Sequence, residues 1–193
     1  MFLHELSRKV SQSWPIRVDS HEYAELVRMT FNNRCPYCSR DLESVVTVVE
    51  HLDGLNRCRA GLHVPGNVLL ACKVCNGEKR RDDALAVLFL ATYGWESFLS
   101  HDGKRCATSC RTCRYWESVW VDETERRLRM TDNLERIRAF RHRFPEFELV
   151  LPSLAKTLPT LLAKLYSDCQ IFAETEIAAV MAKFDAMSTE QHS

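Results

Sequence analysis

Two cysteine pairs, Cys35-Pro-Tyr-Cys38 and Cys72-Lys-Val-Cys75, are separated by 33 residues, 39–71. Structural zinc takes four soft donors in a tetrahedron, and one Cys-x-x-Cys turn supplies two thiolates from a single bend. Two such turns complete the set. A zinc closed by four thiolates has no open coordination position, so it holds a fold together and does no chemistry itself. A redox dithiol needs only one pair, followed by a helix in a βαβ setting, and neither pair has that context. Core cysteines at accidental spacing are the bland alternative, and the presence of two pairs weighs against it.

Between and just after the pairs lie the other residues able to do chemistry. Val49-Glu50-His51 ends an apolar run, Gly66-Asn67 precedes the second pair, and Asn76-Gly77-Glu78-Lys79-Arg80 follows it. Each has a plain reading. His51 is then a structural residue at a strand end, Asn67 a turn residue after Gly66, Asn76 a helix N-cap and Lys79 a solvated helix charge.

Taken together, an acidic-His pair on a strand followed by Asn-x-x-x-x-Cys-x-x-Cys-Asn-x-x-Lys resembles the HNH endonucleases, over about residues 31–90. The resemblance implies a ββα-metal fold and hydrolysis of DNA phosphodiester bonds. It gives His51 the role of general base and Asn67 that of holding the base-bearing loop. Glu50 and Asn76 become ligands of a catalytic Mg²⁺ or Mn²⁺, and Lys79 a contact to the substrate phosphate. The family more often has Asp before the base; Glu50 is one methylene longer, which puts its direct contact with the metal in question. The chemistry asks for the same groups. Hydrolysis needs an activated water and charge neutralisation on the phosphate oxygens. A neutral histidine suits the first need, and a hard cation held by carboxylate and amide oxygens suits the second. Asn76, past the second knuckle, is expected at a helix start, whose N-terminus also favours phosphate. His63, in the loop before Asn67, could reach the metal or be an ordinary loop residue.

His101 with Cys106-x-x-x-Cys110-x-x-Cys113 makes a second possible zinc set, with Cys58 an equal candidate for the fourth ligand and free loop thiols as the alternative. The chain carries nine cysteines in 193 residues. The N-terminus has no long apolar run ending in small residues, and no stretch is long enough to span a membrane, so a cytoplasmic protein with reduced thiols and no membrane partner is expected.

A composition of 46% hydrophobic and 27% charged residues can bury a core. The net charge of zero, from 26 basic and 26 acidic residues, does not by itself announce nucleic acid. A polyanionic partner must then be met locally, by Lys79-Arg80-Arg81 or by the arginines at 126, 127, 129, 136, 138, 141 and 143. That run is either a basic helix for phosphate contacts or a solvated face paired with Glu125, Asp132 and Glu135.

The elements that must position these groups follow from periodicity. Residues 2–12 and 20–31 have helical spacing, the second capped by Asp19 or Ser20. Residues 42–51 read as strand, 52–66 as irregular loop and 67–71 as a short second strand or an extended turn. A helix is expected from Asn76 to about Tyr93, stopped by Gly94. Residues 115–143 and 153–185 are helical, with breaks near Pro145 and Pro152. The fold expected is α+β and mostly helical. N-terminal helices span 1–30, a small ββα-metal nuclease core with its four-cysteine zinc spans 31–95, and a helical C-terminal extension spans 96–193. Two function classes compete. One is an endonuclease cutting DNA; the other is a non-catalytic zinc-dependent module binding nucleic acid or protein. The Glu50-His51, Asn67 and Asn76 set favours the first. Small HNH proteins of this kind resemble effectors of bacterial anti-phage and restriction systems, which implies a protein partner that supplies targeting.

Overall fold

The computed structural model describes residues 2–56, 59–88, 94–101, 106 and 109–190. Its elements follow in the order α1 (Phe2–Gln12), α2 (His21–Thr30), β1 (Thr47–His51), β2 (Leu55–Asn56), β3 (Arg59–Ala60), β4 (Val68–Cys72), α3 (Lys73–Leu88), α4 (Trp95–Phe98), α5 (Arg111–Val119), α6 (Glu123–His142) and α7 (Pro145–Glu190). The described chain is mostly helical, as its periodicity indicates. β1 and β4 pair antiparallel with Thr47 opposite Cys72 and His51 opposite Val68, and β2 and β3 form a small separate ladder.

Local chemistry sets the boundaries. Ser20 caps α2 by accepting the Tyr23 N–H, and the helix buries Tyr23 and Val27. β1 begins five residues later than the apolar run 42–51 predicts. The Asp41 carboxylate accepts the Glu43 N–H and the Asp41 carbonyl accepts the Ser44 hydroxyl, so a turn holds the start of that run. β4 passes directly into α3. The Cys72 sulfur accepts the Cys75 N–H at 3.4 Å and so takes the capping place, and the helix starts three residues before Asn76. The loop 52–66, expected to be irregular, contains β2 and β3. Residues 89–93, toward which α3 was expected to run, lie outside the described residues.

The expected helix 115–143 is divided. α5 ends at Trp120, which is extended, and Asp122 caps α6 through the Glu125 N–H at 2.7 Å. The break at Pro145 is present, with Pro145 as the first residue of α7. The break near Pro152 is not, because α7 runs through both Pro152 and Pro159 to Glu190. Each internal proline forgoes one backbone hydrogen bond, at about 3 kcal/mol, and the leucines, alanines and lysines around them are strong helix formers. One apolar core joins Tyr23 and Val27 of α2 to Tyr37, Leu69, Trp116, Ile137 and Phe140, so all three expected segments contribute to it. No described helix is long and apolar enough to cross a membrane.

Candidate metal and hydrolytic site

The thiols of Cys35, Cys38, Cys72 and Cys75 lie within 4.8 Å of one another, and all four residues are buried. The Cys38 and Cys72 sulfurs are 3.8 Å apart. A tetrahedral zinc with Zn–S bonds of roughly 2.3 Å separates its sulfurs by roughly 3.8 Å, so the group could bind zinc. Each knuckle has its own turn chemistry. The Cys35 N–H reaches the Arg40 carbonyl, and Ser39 turns the chain back with φ 59°. The second knuckle is the start of α3 itself. None of the described cysteines is in a disulfide. Hydrogen bonds among the four thiols pull Cys72 well below its ordinary range and push Cys35 and Cys75 above theirs.

The same strand and helix bring the other residues together. Glu50, on β1, is buried among three partners. Its Oε1 accepts the Tyr37 hydroxyl at 3.0 Å and lies 2.7 Å from Lys79 Nζ, while its Oε2 accepts the Asn76 side-chain N–H. Lys79, one helical turn beyond Asn76 on α3, also donates to the His51 carbonyl at 2.8 Å. The resemblance gives Lys79 a substrate phosphate; in the fold its side chain is 2% exposed, against Glu50 and the end of β1. Asn67 is buried and ties down the loop after His51. Its Oδ1 accepts the Asp53 N–H at 2.9 Å, and its Nδ2 donates to the Asp53 carbonyl at 3.1 Å and the Leu62 carbonyl at 2.9 Å. Arg141 of α6 holds the Asp53 carboxylate from the other side at 2.6 Å.

His51 Nε2 and His63 Nδ1 are 3.0 Å apart. The His63 N–H is fixed by the Ser7 hydroxyl of α1 at 2.7 Å. Burial lowers the basicity of His63, opposed by the charge of Asp19. Tyr37 and the orientation of His63 were not legible from motif spacing. The place of Tyr37 inside a Cys-x-x-Cys turn gives no signal by itself, since Lys73 and Val74 in the second turn are both exposed.

His101, Cys106, Cys110 and Cys113 form a second group whose ligand atoms lie within 4.8 Å of one another. It too could bind zinc, and His101 stands in the fourth position; Cys58 lies outside the described residues. Burial and the hydrogen bonds of Cys110 and Cys106 push the Cys113 thiol up to about 12. The arginines of α6 are largely ion-paired. Arg127 pairs with Glu123, Arg129 with Glu125, and Arg138 with both Glu96 and Glu135, while the Arg126 guanidinium donates to the Trp120 carbonyl. No protein-family model, curated protein or solved structure matches the chain, so these residues carry the functional reading by themselves.

Proposed function

We propose that the chain is a metal-dependent endonuclease of the HNH type, hydrolysing DNA phosphodiester bonds, with β1, β4 and α3 as its ββα core. The observation that carries this reading is the hydrogen bond between Glu50 of β1 and Asn76 of α3, the residue after Cys75, with His51 next to Glu50 on β1 and its ring against His63. Glu50 Oε2 and the Asn76 amide meet in a hydrogen bond. Turned to present its Oδ1, that amide joins the carboxylate as a second hard oxygen donor, a set that fits Mg²⁺ or Mn²⁺. A divalent cation held there would neutralise charge on the phosphate oxygens and help the leaving oxygen depart.

The side chains do the rest. His51 Nε2 and His63 Nδ1 share one hydrogen bond; in the tautomer where His51 donates it, the basic lone pair is that of His51 Nδ1. That lone pair takes a proton from the attacking water as its oxygen bonds to phosphorus and the bond to the leaving oxygen breaks. Asn67 keeps the 52–62 loop beside the base. Lys79 holds the His51 carbonyl, and with it the end of β1.

The test is cleavage of plasmid DNA with Mg²⁺ or Mn²⁺. Removing a general base costs roughly 10²–10⁴-fold in rate, so His51→Ala falls by that factor while retaining its zinc and its circular dichroism. Equal cutting by both proteins, or no cutting of any nucleic acid by folded wild type, removes the enzyme reading and leaves a binding module.

A further inference from the structure

We infer that His101, Cys106, Cys110 and Cys113 hold a second zinc, and that this zinc acts on the first site by fixing α5 so that Tyr115 hydrogen-bonds the Cys75 thiolate. The inference does not rest on the nuclease reading; it concerns the two soft-donor groups and the helix between them.

The donor geometry is that of a bound ion. His101 Nδ1 lies 3.3 Å from the Cys106 sulfur, 3.3 Å from Cys110 and 3.9 Å from Cys113. Zn–N near 2.05 Å and Zn–S near 2.3 Å at a tetrahedral angle separate nitrogen from sulfur by roughly 3.6 Å, and the three distances bracket that value. Three thiols and one imidazole are a complete structural zinc set with no position left open. None of the described cysteines is in a disulfide.

The second part follows from where α5 goes. Cys110 and Cys113 sit at its cap and first turn, so a zinc there clamps the start of the helix. Trp116, one turn on from Cys113, is buried and donates its indole N–H to the Phe98 carbonyl at 2.7 Å. Between them Tyr115 packs against Phe98 and Trp116 and brings its hydroxyl to 2.9 Å from the Cys75 sulfur. A zinc-bound thiolate has no proton to give, so the tyrosine is the donor. Such outer contacts orient a ligand and drain charge from it, and losing one costs roughly 10–100-fold in metal affinity. A second link runs the same way, from Arg111 at the start of α5 to Glu78 of α3 at 3.5 Å.

The experiment is metal analysis of the purified full chain, followed by zinc release to a chromogenic chelator. Cobalt-substituted protein, in which four-thiolate and three-thiolate-one-imidazole sites absorb differently, assigns each step. Wild type carries two zinc ions per chain. Tyr115→Phe keeps both, because the ring still packs, but releases the four-cysteine zinc roughly 10–100-fold faster. Cys110→Ser carries one zinc and releases it faster by a similar factor. The double variant adds little to either, as expected when one change acts through the other. One zinc per chain in wild type overturns the second site. Two zinc ions with unchanged release in Tyr115→Phe, or unchanged release of the remaining zinc in Cys110→Ser, overturns the coupling, and Cys106→Ser is read in the same way should Cys110→Ser not fold.

Discussion

Lys79 and Glu50 form a buried ion pair, and its energetics separate a positioning role from a substrate contact. Removing one partner of a buried pair leaves an uncompensated charge and costs about 3–5 kcal/mol, whereas replacing both costs far less. Lys79→Met is therefore expected to lose about that much in urea denaturation, and Glu50→Gln added to it to recover most of the loss. A lysine that served only to meet phosphate would give the opposite pattern, with slower cleavage and unchanged stability. The sequence displays the identities of Glu50, His51, Asn67 and Asn76 because their spacing is set by things a sequence records, namely two knuckles and one strand pair. It does not display that Lys79 faces inward. That depends on the angle at which α3 leaves the second knuckle, and the capping sulfur of Cys72 moves the helix start three residues upstream of where periodicity puts it. Tyr37 and His63 are hidden for the same reason, since their partners at 13 and 12 residues' distance meet them only in the folded chain.

At the scale of elements, the turn into β4 is under tight constraint. Gly66 has φ 83°, and a Cβ there would stand 2.9 Å from the Cβ of Phe144. Its N–H is also held by the Tyr23 hydroxyl, which donates in turn to the Val68 carbonyl. A left-handed non-glycine residue costs about 1–2 kcal/mol and an overpacked methyl about 1–3. Gly66→Ala should lose about 2–5 kcal/mol by thermal or urea unfolding. Gly77 is the control, because it lies in α3 with nothing within 4 Å of its Cβ position, and alanine there should gain about 0.5–1 kcal/mol. Equal effects at the two positions would mean that the β4 turn is not under this constraint. The helix α1 was readable from its spacing, and α2 because its spacing and the Ser20 cap agree. β1 was overextended because β-branched composition does not reveal the Asp41 turn, and α7 was started late because Pro152 weighs heavily in any local reading.

The whole molecule is asymmetric in how its parts are held. Every residue from Tyr166 to Phe184 is exposed, whereas Leu158 in the first third of α7 is buried. At 1.5 Å per residue, the 46 residues of α7 extend about 69 Å, far beyond what one core of this size can cover. Contacts such as Lys164 with Asp168 support the helix from within itself and add only a few tenths of a kcal/mol each. The core therefore owes little to what lies past Tyr166. A chain ended there should keep the melting temperature and zinc content of the full protein, losing only the helical circular dichroism of the removed residues. It should also be more soluble, since Ile171, Phe172, Ile177, Met181 and Phe184 are among the apolar side chains it no longer exposes. A fall in melting temperature of more than a few degrees, about 1 kcal/mol for a domain of this size, would mean that the distal half of α7 folds back onto the core in solution.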